Sequence, residues 1–478
     1  MHRHIRRVFA AAGAALSALA VTVASASCAA PTAPQTSQAP QTSHPSAAPG
    51  TQLWVSRYNG PGNSPDEARF VAVSPDGAKV FVTGSSGRSS STVAYSAATG
   101  TQLWVRHEGG SSVAVSPDGA KVFVTGTSRG ATSGEDYATF AYNVSTGAQL
   151  WVSRYNGPAN RDDGARSVAV SPNGGTVFVN GLSTGAGSAA DFATVAYNAA
   201  NGAQLWASRY NGPGSGPEMH FALGVQSLAV SPSGATVFVT GGSKGTGKAW
   251  DYATVAYNAA TGARLWVTRY NGPSNGFDAA FSVAVSPAGA TVFVTGTSEG
   301  TATSGDAATV AYNAATGAQL WVTRYNSPAN QNDGANSMAV SPSGGKVFVT
   351  GVSEGATLGR EDYATLAYNA ATGAQLWVKP YNGPANSDDN AGSVAVSPDG
   401  AKVYVTGGSK GGGQSWDYAT IAYNASTGAQ LWVRRYNGPG NRDDNALSVA
   451  VSRGGTVFVT GNSEGTSGPD YATVAYSG

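Results

Sequence analysis

Residues 251–273 read Asp-Tyr-Ala-Thr-Val-Ala-Tyr-Asn-Ala-Ala-Thr-Gly-Ala-Arg-Leu-Trp-Val-Thr-Arg-Tyr-Asn-Gly-Pro, and residues 282–296 continue Ser-Val-Ala-Val-Ser-Pro-Ala-Gly-Ala-Thr-Val-Phe-Val-Thr-Gly. Four runs rich in Val, Thr, Tyr and Phe lie here, each bounded by Gly, Pro or Asn, which is the pattern of short strands joined by tight turns. The same unit recurs along the chain. Its Leu-Trp landmark falls at Trp54, Trp104, Trp151, Trp206, Trp266, Trp321, Trp377 and Trp432, a period of 47 to 60 residues. Four strands at such a period cannot bury their apolar faces alone. They bury them by stacking on the next unit, which is the logic of a propeller blade.

The turns support this reading. Ser-Pro-x-Gly, as at Ser116 to Gly119, is a type I turn in which Pro fixes φ. Ala-Ala-Thr-Gly, ending at Gly262 or Gly317, offers the left-handed residue a hairpin bulge needs. The Leu-Trp strand is expected at the outer edge of each blade. Its recurring Arg (Arg154, Arg209, Arg269, Arg324) would discourage edge pairing, and in one unit Pro380 replaces it. The chain enters the repeats on an outer strand, Thr51 to Trp54, and leaves on a third strand, Tyr471 to Tyr476. These two partial units make one blade. The expected fold is therefore an all-β, eight-bladed propeller of four-stranded antiparallel blades, closed by the N-terminal strand, over residues 51–478.

Residues 1–28 have the form of a signal peptide: Arg3, Arg6 and Arg7, then an apolar stretch from Val8 to Val23, then small residues. Arg6-Arg7-Val8-Phe9 resembles a twin-arginine export motif without fixing the route. Cys28, the single cysteine, ends this segment and reads as the lipidated residue of a lipoprotein. Cleavage after Ala26, with Cys28 incidental, is the alternative. Residues 29–50 are Pro, Ser, Thr, Gln and Ala, a disordered tether. The expected location is exported: the cell envelope through a lipid anchor, or the extracellular space.

Net charge is +1 and only 12% of residues are charged, so a basic nucleic-acid face is not expected. One cysteine excludes an internal disulfide. His107 and His220 are the only histidines in the repeats, too few for a His/Cys zinc site.

The segment Ala256-x-Asn258-x-x-Thr261-Gly262-x-x-x-Trp266 resembles the tryptophan-docking motif of the pyrroloquinoline-quinone propellers, with Asn258 where that family has Asp. The Val-x-Val-Thr-Gly and Asp-Tyr elements look like SBBP propeller repeats. The resemblance spans the whole array. It implies eight blades and Trp residues docked between them, and it says little about activity. The quinoprotein dehydrogenases of that family carry an adjacent cysteine pair, which this chain lacks, so no quinone cofactor is expected.

Paired carboxylates Asp162-Asp163, Asp388-Asp389 and Asp443-Asp444 suit calcium in principle. The second of each pair recurs in one column with Asp66, Asp278 and Asp333, so a turn-bonding role is preferred and calcium is the alternative. Asp136, Asp251, Asp362, Asp417 and Asp470 recur before Tyr-Ala-Thr and read as structural.

Both near-invariant turns fall on one face of the disk, and both variable loops fall on the other, the expected binding face. It carries Lys244 with Trp250, copied three repeats later as Lys410 with Trp416. It also carries a longer loop containing Glu218-Met219-His220-Phe221. Lys244, Trp250, Lys410, Trp416, His220 and Phe221 are the ligand-binding candidates, Trp being able to stack a sugar or grip a peptide. The expected function is a monomeric recognition or scaffold module for a protein or cell-surface glycan. The alternative is an enzyme using carboxylates of this face on a sugar or lactone, with a quinone-dependent oxidoreductase as the less favoured one.

Overall fold

The computed structural model describes residues 47–478 apart from 88, 130–133, 188, 215, 220–225, 247–248, 302–303, 356–359, 414 and 466–467. The export segment with Cys28, most of the tether, and His220 with Phe221 lie outside the described residues.

The chain forms eight four-stranded antiparallel sheets, the blades of one propeller. Blade five is typical: Asp278–Val285, Thr291–Glu299, Gly305–Asn313 and Gln319–Tyr325, in chain order from the axis outward. Blade eight is composite. Gln52–Tyr58 pairs with Pro469–Tyr476, setting Trp54 opposite Ala475 and Tyr58 opposite Tyr471. The ring is thus closed by the first strand, as the phase of the sequence repeats requires.

Neighbouring inner strands touch around the axis. Val71 N donates to Ser448 Oγ at 3.3 Å, and Val394 N donates to Ser337 Oγ at 3.2 Å. The small Ser and Ala of Ser-Val-Ala-Val allow this close approach. The third strand of each blade, such as Tyr252 to Tyr257, is buried on both faces because sheets cover it on either side.

Each docking Trp clamps two blades. Trp206, on the outer strand of blade three, packs against Phe178 of its own blade with ring centroids 5.9 Å apart. It also meets Tyr257 of blade four at 6.3 Å, and its indole N–H donates to Ala259 O at 2.9 Å. The same bond recurs from Trp54 to Ala97 and from Trp321 to Ala370. At the closure Trp432 lies on Gly50, which takes the place of the turn glycine with φ of +78°.

The recurring Arg of the outer strand does not guard an exposed edge, as the sequence reading had it. It folds back across its own blade. Arg57, Arg209, Arg269, Arg324 and Arg435 each reach Asp470, Asp191, Asp251, Asp306 and Asp417 at 2.8 Å. The fork geometry of guanidinium explains the choice of Arg. Arg324, for example, also donates to Ser298 O at 2.7 Å, to Ser298 Oγ, and to Tyr270 OH of the preceding blade at 3.0 Å.

The column carboxylates close the loops between blades. Gly60 N donates to Asp66 at 2.6 Å and Gly157 N to Asp163 at 2.6 Å, each across six residues. Asn63, Asn160 and Asn275 take the left-handed conformation inside these loops, which Asn tolerates.

Candidate functional site

On the variable-loop face, the second and third strands of each blade meet at a hairpin tip that closes on one cross-strand residue pair. The pair is Arg129 with Glu135 in blade two and Lys244 with Trp250 in blade four. It is Glu299 with Gly305 in blade five, Glu354 with Glu361 in blade six, and Lys410 with Trp416 in blade seven. Cross-strand register thus brings each predicted Lys beside its Trp, and both Trp side chains are half-buried.

The two copies are held differently. In blade seven Lys410 Nζ bonds Asp388 at 2.6 Å and sits 5.3 Å from the Trp416 ring, a cation–π contact. Trp416 N donates to Asp443 Oδ1 at 3.1 Å, and the ring leans over Gly408, where any Cβ would meet it at 2.9 Å. Trp416 is therefore oriented before any ligand arrives. In blade four Pro217 stands where Asp388 stands, and Lys244 has no carboxylate partner among the described residues. Its stem lies instead along Gly216, whose Cβ would strike Lys244 Cδ at 2.4 Å.

The carboxylate pairs are occupied by the protein itself. Asp162 accepts from Glu135 N at 3.0 Å, Asp388 holds Lys410, and Asp443 holds the Trp416 amide. Among the described residues no group of three or more His, Cys, Asp or Glu side chains is placed to hold a metal ion. His107 stands in the Arg position of blade one, with its Nδ1 3.3 Å from both Tyr58 OH and Ser91 Oγ.

Two features were missed in the sequence. One is Arg166, which stands at a bulge of the inner strand of blade three, between Ala165 and Ser167. Its Nε is buried without a partner among the described residues, and burial together with the like charge of Arg69 pulls its pKa down. Arg69 holds the same bulge position in blade one and is paired with Glu67 at 3.0 Å. The only signal was their shared distance of three residues past the column Asp.

The other is Glu218. It takes the position of the structural column: Gly212 N donates to its Oε1 at 2.7 Å, again across six residues. Burial pushes the Glu218 carboxyl up to about 7 from its usual 4.5. In the window between these values the folded state holds the proton and the unfolded chain releases it. This contribution to stability is therefore present below about pH 4.5 and lost as pH rises through about 7. Glu218→Gln keeps the acceptor and removes the charge. Its melting point is expected to match the parent at pH 5 and to exceed it at pH 8, by on the order of 2 kcal/mol in stability. Thermal melts of both proteins across that range check this; a parent that is equally stable at both values refutes it.

Closed blades, docked tryptophans and one variable face define the class: an eight-bladed propeller whose loops, and not its sheets, differ from blade to blade. The chain belongs to the family described as outer membrane protein assembly factor BamB, whose pattern matches residues 43–285 and 251–475. Among solved structures it is similar to Sqt1 of Chaetomium thermophilum bound to the N-terminus of the ribosomal protein L10. That match has a TM-score of 0.59 and 14% identity over 90% of this chain and 100% of the other. It is also similar to the quinohemoprotein alcohol dehydrogenase of Comamonas testosteroni, with a TM-score of 0.53 and 13% identity over 89% of this chain and 76% of the other. BamB of Moraxella catarrhalis matches with a TM-score of 0.46 and 14% identity, over 90% of this chain and 98% of the other. At these identities the likeness is one of fold. No curated protein matches the chain.

Proposed function

We propose that this protein is a non-catalytic recognition propeller of the cell envelope, gripping a protein partner through its variable-loop face. The observation that carries the reading is the contrast between faces. One carries near-identical short turns. The other carries hairpin tips of differing charge, with two Lys–Trp pairs whose rings are half-exposed and, in blade seven, fixed in place. Half-buried aromatics held by their own blade are suited to anchoring a peptide with little loss of side-chain entropy.

The family description names an assembly factor of the outer membrane. The Sqt1 structure shows a propeller of this overall shape with a ribosomal-protein segment bound. Both support a protein partner over a glycan. The export segment, a lipid on Cys28 and the tether at residues 29–50 belong to the same proposal, since they would hold the propeller off a membrane surface. Mass spectrometry of the mature N-terminus tests that part: an acylated Cys28 supports it, and a free N-terminus beyond Cys28 leaves simple secretion.

Screening the full chain on peptide and glycan arrays tests the main reading. Trp250→Ala and Trp416→Ala are each expected to fold and to weaken a captured peptide by about 1–3 kcal/mol. Glycan capture with no peptide capture refutes the choice of partner. Turnover of a sugar or lactone that is lost in Glu361→Gln would favour the enzyme reading, because burial beside Asp388 and Glu354 pushes Glu361 up to about 7.

A further inference from the structure

We infer that blade six carries an open socket for a guanidinium group, built to receive an arginine side chain from a protein partner on the variable-loop face. Five other blades show the socket filled. In blade five it consists of Asp306, the carbonyl and hydroxyl of Ser298, and Tyr270 OH from the preceding blade, and Arg324 of the outer strand occupies it. Blades three, four, seven and eight repeat this arrangement around Arg209, Arg269, Arg435 and Arg57.

Blade six keeps the Asp, Ser and Tyr positions and loses the occupant; Ser327 stands where Gly157 and Gly438 abut the guanidinium in blades three and eight, with its hydroxyl turned to Glu354 O at 3.2 Å. Asp362 lies opposite Ser353 in the same register that pairs Asp306 with Ser298. Tyr325 of blade five stands where Tyr270 stands, its hydroxyl near Ser353. The Arg position is Pro380, which pairs with Ala364 on the outer strand and is itself exposed. A pyrrolidine ring cannot reach across the blade, so position 380 leaves the socket uncovered and Asp362 partly exposed. Lys379 does not fill it: its Cε lies beside Gly428 in the next blade. Arg360, two residues before Asp362, is exposed and makes no bond to it among the described contacts.

The electrostatics agree with the geometry. Burial, with Asp389 adding its charge, pushes the Asp362 carboxyl up to about 6, whereas its five counterparts each hold an Arg at 2.8 Å. A partly desolvated carboxylate beside a hydroxyl and a carbonyl, with no cation on it among the described residues, is an incomplete ion pair. The donors missing are those of a planar fork, which selects arginine over lysine. This inference deepens the proposal of protein recognition by naming one side chain the partner would supply.

The test uses the full chain and a small probe, N-acetyl-arginine amide, titrated by calorimetry at low ionic strength. Saturable binding is expected, at least threefold tighter than for N-acetyl-lysine amide. It should fall at least tenfold in Asp362→Asn, which removes an unpaired charge and so folds, and in Pro380→Arg, which fills the socket from within. Pro380→Arg should also raise the melting point. Trp416→Ala should leave probe binding unchanged, so failure of the Trp-anchored reading and failure of the socket are read separately. Absence of saturable binding overturns the socket, as does equal binding to Asp362→Asn. Binding that emerges only in Arg360→Ala overturns it too, because the chain's own Arg360 would then be the occupant.

Discussion

Trp206→Ala is expected to destabilise the propeller by about 3–5 kcal/mol, the range for truncating a buried large aromatic. Trp206 is 8% exposed and touches two blades at once. Three losses coincide. The ring contacts with Phe178 and Tyr257 vanish, the space over Gly262 empties, and Ala259 O loses the indole N–H. The last is separable. Trp206→Phe keeps most of the apolar area and forfeits the hydrogen bond, for which about 1–2 kcal/mol is expected. Urea denaturation of the three proteins measures both. A loss under 1 kcal/mol for Trp206→Ala would mean that neighbouring side chains collapse into the gap and that Trp206 is not the clamp between blades three and four.

Eight such clamps were readable in the sequence because each blade repeats the same letters at the same phase. Repetition turns one weak strand signal into eight concordant ones, and the two partial units at the ends, Thr51 to Trp54 and Tyr471 to Tyr476, located the seam. The column of Asp66, Asp163, Asp278, Asp333, Asp389 and Asp444 was legible for the same reason, and the structure gives each a turn amide six residues back. Glu218 escaped that column because the side chain is one methylene longer and its loop is irregular.

The Arg–Asp pairs were visible only as two separate columns. Their constant spacing of 18 residues, as in Arg209–Asp191 and Arg435–Asp417, held the information. It took the third and fourth strands lying side by side to show that the two columns meet. Individual sites were harder still. Lys410 and Lys244 look equivalent in sequence, yet one is tied to Asp388 and the other lies along Gly216. The difference comes from Pro217, on a loop whose path no periodic pattern fixes.

Gly262→Ala is expected to destabilise by about 2–5 kcal/mol although it adds a single methyl group. Two costs add. Gly262 has a φ of +72°, a left-handed conformation in which an L-residue loses about 1–2 kcal/mol. A Cβ there would also lie 2.6 Å from Trp206 Cδ2 and Cε3, inside contact distance, so the indole or the blade must move, at about 1–3 kcal/mol. Gly455→Ala separates the two. Gly455 has a φ of +89° with nothing within 4 Å of its Cβ position, so it carries the backbone cost alone. The difference between the two variants in urea denaturation then measures the contact with Trp206. Combining Gly262→Ala with Trp206→Ala should bring the pair below the sum of its parts, because the new methyl fills part of the space the indole leaves. Strict additivity would show that turn and ring do not share that space, and would remove the physical reason for finding Gly at this place in every blade, including Gly50 at the closure.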